Sequence, residues 1–298
     1  MQTAAAVRRK EIPTELAAAG KFGGFKPESE RTVRTMKVEM SPILERMVRI
    51  WGEVHKHQKS IYSQISERIC GLEYSAKDIE KFSIALAQFQ EHTQFQNRAS
   101  DFLNVLMEHC KDDEFIIHTV HLDRTIPNLS IGDMKKLIID GNAGAYVGGW
   151  IEGASITVTG NAGASTGCAM KRGSITVEGN SGKNTGELMG GGMITVNGNA
   201  AYAVGRAMSG GDIIILGSAS NEVGKEMKGG TITVKGNAGR RIGDEMRGGI
   251  ISVEGNAGNC LGRRMKGGEI HIEGKIGSIA EDIICGKIFH KGELIVDK

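Results

Sequence analysis

The sequence predicts a mainly β protein: a right-handed parallel β-helix of about eight 19-residue rungs, preceded by an N-terminal α-helical hairpin. Three observations carry this prediction. Glycines recur at a constant interval of 19 from Gly141 to Gly274. The apolar residues between them alternate, as in Ile175–Val177 and Ile251–Val253, and show no 3.6-residue period. Upstream of about residue 112 the apolar spacing becomes helical instead.

The repeat sets the fold. Its first column is Gly141, Gly160, Gly179, Gly198, Gly217, Gly236, Gly255 and Gly274, followed by Asn in six units and by Ser218 and Lys275 in the others. Seven residues further on stand Gly148, Gly167, Gly186, Gly205, Gly224, Gly243 and Gly262. Three beyond these comes Met170, Met189, Met208, Met227, Met246 or Met265, with Ile151 in the first unit. A unit of this length cannot hold a strand, a crossover helix and a loop. The chain must therefore turn through short strands and glycine corners and stack each rung on the last. At roughly 4.8 Å per rung the body is roughly 35–40 Å tall. Gly-Asn is expected to form a corner, because Gly tolerates positive φ and Asn visits the left-handed region readily. Stacked Asn amides are expected to bond up the column.

Ahead of the repeat, Ser41-Pro42 reads as a helix start, and Leu44, Met47, Trp51, Val54, Ile61, Ile65 and Ile69 follow at helical spacing up to a stop at Gly71. Ser75-Ala76-Lys77-Asp78 has the form of a capping box, and Ile79, Phe82, Leu86, Phe89, Phe102 and Leu106 continue a second helical face. The expected organisation is a mobile tail over 1–27, a helical hairpin over 28–112 serving as cap or interaction arm, and the β-helix over 113–298.

Composition narrows the function. A net charge of +2 gives no electrostatic pull toward nucleic acid or membrane. No stretch has the length of a membrane span or a signal core. Five scattered cysteines, none in a CxxC pair, argue against disulfides or zinc and for a reducing cytoplasm.

Each candidate for chemistry dissolves on inspection. Gly163-Ala164-Ser165-Thr166-Gly167 spells a nucleophile elbow, but both glycines belong to the repeat and no helix follows. His118 and His121 form an H-x-x-H pair without an evident third ligand. His55 and His57 stand two apart on a helix and do not share a face. The methionine column reads as core. The glycine loops lack the following helix that a phosphate cradle needs. Lys228, Arg247 and Lys266 share a column, with Arg240, Arg241, Arg263 and Arg264 nearby, and Glu226, Asp244 and Glu245 partly neutralise them. They read as a solvated face. No catalytic, cofactor-binding or metal-binding residue is assigned.

One rung is irregular. Outward strand positions are usually polar, as at Thr176, Glu178, Thr233 and Lys235, yet the fifth rung places Ile214 and Leu216 there. The pair is expected to contact a partner, another copy of the chain or the N-terminal helices.

The spacing Gly141-Asn142-Ala143-Gly144-Ala145-Tyr146-Val147-Gly148, repeated at Gly160/Gly163/Gly167, Gly179/Gly182/Gly186, Gly236/Gly239/Gly243 and Gly255/Gly258/Gly262, resembles the GXGXG β-helix domain. That domain occurs in the large subunit of glutamate synthase and in the β-helix subunit of formylmethanofuran dehydrogenase, with similar chains in formyltransferase/hydrolase complexes. Asp123-Arg124-Thr125-Ile126 resembles the segment leading into it in glutamate synthases. Ala201 and Ser220 depart from the pattern by replacing its middle Gly. The resemblance covers roughly residues 115–298 and implies a non-catalytic scaffold without a cofactor, docked on catalytic subunits of an oxidoreductase complex. A stand-alone hydrolase or transferase with a site between the helices and the β-helix wall is the alternative. A His/Asp/Ser cluster in a cleft favours the enzyme, and a flat wall with an apolar patch favours the scaffold.

Overall fold

The computed structural model describes residues 38–54 and 62–298. The expected mobile tail, His55, His57 and Ile61 lie outside the described residues.

The helical part comprises α1 (Pro42–Val54), α2 (Tyr62–Ile69), α3 (Ala76–Ala85) with a short 3-10 extension (Leu86–Phe89), and α4 (Phe95–His109). The start signals act as read. Ser41 Oγ accepts from the Leu44 amide at 3.3 Å, and the Ser75 amide donates to the Asp78 carboxylate at 3.0 Å. Gly71 takes φ +74 after α2. The second apolar face is not one helix, however. Phe82, Phe89, Phe95 and Phe102 all lie 5.6–6.3 Å from the Trp51 ring. In one straight helix Phe82 and Phe102 would stand about 30 Å apart. Burying them around a single indole requires the chain to turn back between α3 and α4.

Strands β1 (Glu114–His118) to β11 (Glu293–Asp297) form a single sheet in sequence order. The pairs from β1 to β10 (Cys285–His290) are parallel, and β11 turns back antiparallel on β10. From β2 (Lys136–Asp140) to β8 (Ile250–Val253) the register is an offset of 19: Ile175 pairs with Ile194 and Ile213 with Ile232. The result is a β-solenoid of nine turns between ten parallel strands, one coil beyond the glycine repeat at each end. The first coil escapes the repeat because Glu114 pairs with Lys136, an offset of 136 − 114 = 22.

The core is a stack of layers filled at corresponding positions. Ile175, Val177, Ile232 and Val234 point inward, and Met170, Met189, Met208, Met227, Met246 and Met265 are all fully buried. Each strand's outward residues form columns, such as Thr195, Ile214 and Thr233.

The corner chemistry differs from expectation in its mechanism. In the Gly-Asn column only Gly141 has positive φ, at +128. Glycine is required there by crowding: a Cβ at Gly160 would lie 2.6 Å from both Asn142 Oδ1 and the Gly141 carbonyl oxygen. Nor do the Asn amides bond each other. Each side-chain oxygen accepts from the backbone amide one rung on, from Asn142 to Asn161 (2.9 Å), Asn161 to Asn180 (2.8 Å) and Asn180 to Asn199 (2.7 Å). Ser218 continues the ladder with a longer 3.1 Å bond from the Asn237 amide. The left-handed positions fall elsewhere, on the glycine columns from Gly148 to Gly262 and from Gly173 to Gly268 and on two columns of non-glycine residues opened by Tyr146 and Trp150. A Cβ at Gly148 would also lie 2.5 Å from Ile175 Cδ1, so both conformation and packing demand Gly.

The helices close the β1 end, with α3 packed along β1. Gln96 and Asn104 of α4 donate to the carbonyls of Thr125 and Asn128 at 2.8 Å, and Lys135 donates to those of Met107 and Cys110 at 2.9 Å.

Candidate functional site

The strand alternation sends Ile213 and Ile215 into the core and turns Ile214 and Leu216 outward. Ile214 is half-buried among its neighbours, whereas Leu216 is 47% exposed. Exposed Met193 stands at the opening position of the preceding strand, diagonal to Ile214, and exposed Ile250 occupies the same column three rungs on. The outward apolar set is thus wider than the irregular rung alone. Next to it a groove is lined by Ile250, Ser252, Glu254, His271 and Glu273, and Phe289 stacks on the His271 ring with centroids 4.4 Å apart.

A second apolar feature was not singled out from the sequence. Tyr146 and Trp150 occupy left-handed positions, φ +60 each, on the first glycine rung. Their rings stack with centroids 6.3 Å apart and planes 14° apart, and Trp150 is 61% exposed. Their amides donate to the carbonyls of Ala164 and Cys168 at 2.8 Å, so the backbone beneath both rings is fixed. Leu188, exposed, lies two rungs above Trp150 in the same column, which Ala169 and Ala207 share. The available signal was positional: large apolar side chains in a column otherwise held by Ala, Glu or Arg.

The residues with apparent chemistry are buried or paired. Ser165 is buried at φ +57, and its amide donates to the Lys183 carbonyl at 2.8 Å, with no helix behind it. Burial pushes the Cys168 and Cys110 thiols above their ordinary range, away from reactive thiolate. His118 Nδ1 lies 2.8 Å from Asp140 Oδ2 and its Nε2 3.0 Å from Glu80 Oε1. Ser83 sits beside this cluster, but its hydroxyl donates to the Glu80 carbonyl at 2.6 Å and accepts from the His118 amide at 3.0 Å. No group of three or more His, Cys, Asp or Glu among the described residues is arranged to hold a metal.

The late basic residues are largely paired in a ladder up the corner. Arg206 meets Glu187 at 3.2 Å, Arg241 meets Glu222 at 3.4 Å, Arg263 meets Asp244 at 3.5 Å and Arg264 meets Glu245 at 3.3 Å. Asp244 is the unusual member. It is 1% exposed, one carboxylate oxygen has no hydrogen-bond partner, and burial pushes its carboxyl above the ordinary range despite Arg263. Because the folded carboxyl binds its proton more readily than the unfolded one, its destabilising charge at neutral pH is relieved as pH falls toward 3.8. Asp244→Asn is therefore expected to match or exceed wild-type stability at pH 7 and to lose that advantage toward pH 4. Urea midpoints across this range test it, and a variant less stable at pH 7 contradicts it.

No known family's sequence pattern matches the chain, and no curated protein does. Among solved structures it is similar to a chain of the X-ray crystal structure of the formyltransferase/hydrolase complex (FhcABCD) from Methylorubrum extorquens in complex with methylofuran. Identity is 30%, the match covers 49% of this chain and 58% of that one, and the TM-score is 0.46. The matched part is thus little more than half the length of that chain.

No described helix is long and apolar enough to cross a membrane.

Proposed function

We propose that this chain is a non-catalytic scaffold subunit that docks onto catalytic protein partners. The observation that carries this reading is the outward apolar set around Ile214 and Leu216, in a column whose flanking rungs present Thr157, Thr176, Thr195, Thr233 and Ser252. The exposed Tyr146–Trp150 pair adds a rigid aromatic anchor of the kind that dominates protein interfaces. The class of partner comes from the resemblance of the glycine repeat: catalytic subunits of a formylmethanofuran dehydrogenase-like or glutamate synthase-like oxidoreductase complex. Five free thiols fit a cytoplasmic setting.

The alternative, an enzyme with its site between helices and solenoid, has the His118–Asp140–Glu80 cluster in its favour. Ser83 counts against it, because both of its hydrogen bonds go to backbone groups and neither goes to the imidazole.

The double variant Ile214→Lys with Leu216→Lys is expected to keep the wild-type melting temperature and to lower recovery of co-purifying proteins from the native host about tenfold. Unchanged recovery and oligomeric state would remove this wall from the proposal. A purified monomer that turns over a substrate unaided would end the scaffold reading altogether.

A further inference from the structure

The seam between α3 and β1 combines two histidines in opposite circumstances. His118, on β1, is bracketed by Glu80 of α3 and Asp140 of β2. Both of its ring nitrogens thus already face a carboxylate oxygen. His121, three residues on, is buried, and neither of its ring nitrogens has a hydrogen-bond partner. We propose that this seam is an acid-sensitive latch, holding the helices over β1 at neutral pH and loosening them when His121 takes up a proton.

The physical basis is the cost of a charged imidazole in that position. Imidazolium carries two donors and a full charge, and it needs acceptors or water for both. The titratable groups beside it are His118 on β1, Asp140 on β2 and Glu80 on α3. His118 repels a second positive ring, and Asp140 attracts it. Asp140 and Glu80 are already engaged by His118. The backbone of Ser83 and Ile84 offers the remaining favourable contacts. Burial is the largest influence and drives the His121 ring below its ordinary 6.5. A ring freed from the seam thus binds a proton before the docked ring does. Docking is at full strength above 6.5 and weakens as pH falls from there through the lowered value. Release uncovers the outer edge of β1, a strand edge otherwise covered by α3.

Hydrogen exchange on the full chain at pH 7.5 and pH 5.0, corrected for intrinsic exchange rates, reads the latch directly. Amides of α3 and β1 are expected to lose about tenfold protection at the lower pH relative to β5–β7 (Met193–Val234), which serve as the internal reference. His121→Leu is expected to abolish the difference. If that variant does not fold, His121→Gln makes the same test with a side chain that does not titrate. Equal protection of the seam at both pH values overturns the proposal. So does a folded His121 variant that retains the acid-induced loss.

Discussion

Replacing Gly230 by Ala is expected to destabilise the solenoid by about 4 kcal/mol, at the upper end for a single methyl group. Gly230 sits at φ +86, where an L side chain costs about 1 kcal/mol in itself. The larger part is steric. A Cβ there would lie 2.5 Å from the Gly211 carbonyl oxygen and 2.8 Å from Met208 Cε. That oxygen cannot yield freely, because it accepts from the Thr231 amide at 2.9 Å and so belongs to the bonding between rungs. Gly71→Ala separates the two contributions: φ is +74, yet nothing lies within 4 Å of the added Cβ. It should cost only about 1 kcal/mol. Urea unfolding followed by circular dichroism compares them, and equal losses would show that conformation, not crowding between rungs, sets the glycine requirement.

Trp51→Ala is expected to cost the helical unit about 3–5 kcal/mol and to unfold it ahead of the solenoid. The indole is fully buried and has four Phe rings around it, with Phe82 and Phe102 also meeting each other at 4.9 Å. Its ring contacts join α1 to α3, to the 3-10 extension and to α4, so the cavity cannot close by a local shift. Helical signal should be lost first, while the parallel strands persist. A single transition at the wild-type midpoint would contradict this.

The fold was legible because its signals are periodic. A glycine every 19 residues and an Ile-x-Val strand between corners survive reading without any spatial information. Two things were not legible. One was the reason for each glycine: a close approach between rungs at Gly160 and a left-handed turn at Gly148 leave the same letter in the sequence. The other was the bend between α3 and α4. Apolar spacing records which residues face inward but not that Phe82 and Phe102 share one indole. At the candidate site, Ile214 and Leu216 stood out because they break strand alternation. Trp150 did not, since it lies in a turn column with no alternation to break, and Asp244 was hidden because burial of a carboxylate leaves no mark on its neighbours in sequence.

The Asn ladder has a consequence for how such a chain can change. Each rung hands its successor the same side-chain oxygen at the same place, so Asn142 would meet the amide of Asn180 as it now meets that of Asn161. Removing residues 160–178 would thus close over without a mismatched joint. The helical end and the wall around Leu216 would move together by one step of roughly 4.8 Å. The solenoid is in this sense a ruler with fixed graduations, whose length can be edited one mark at a time while everything fastened to it keeps its bearing.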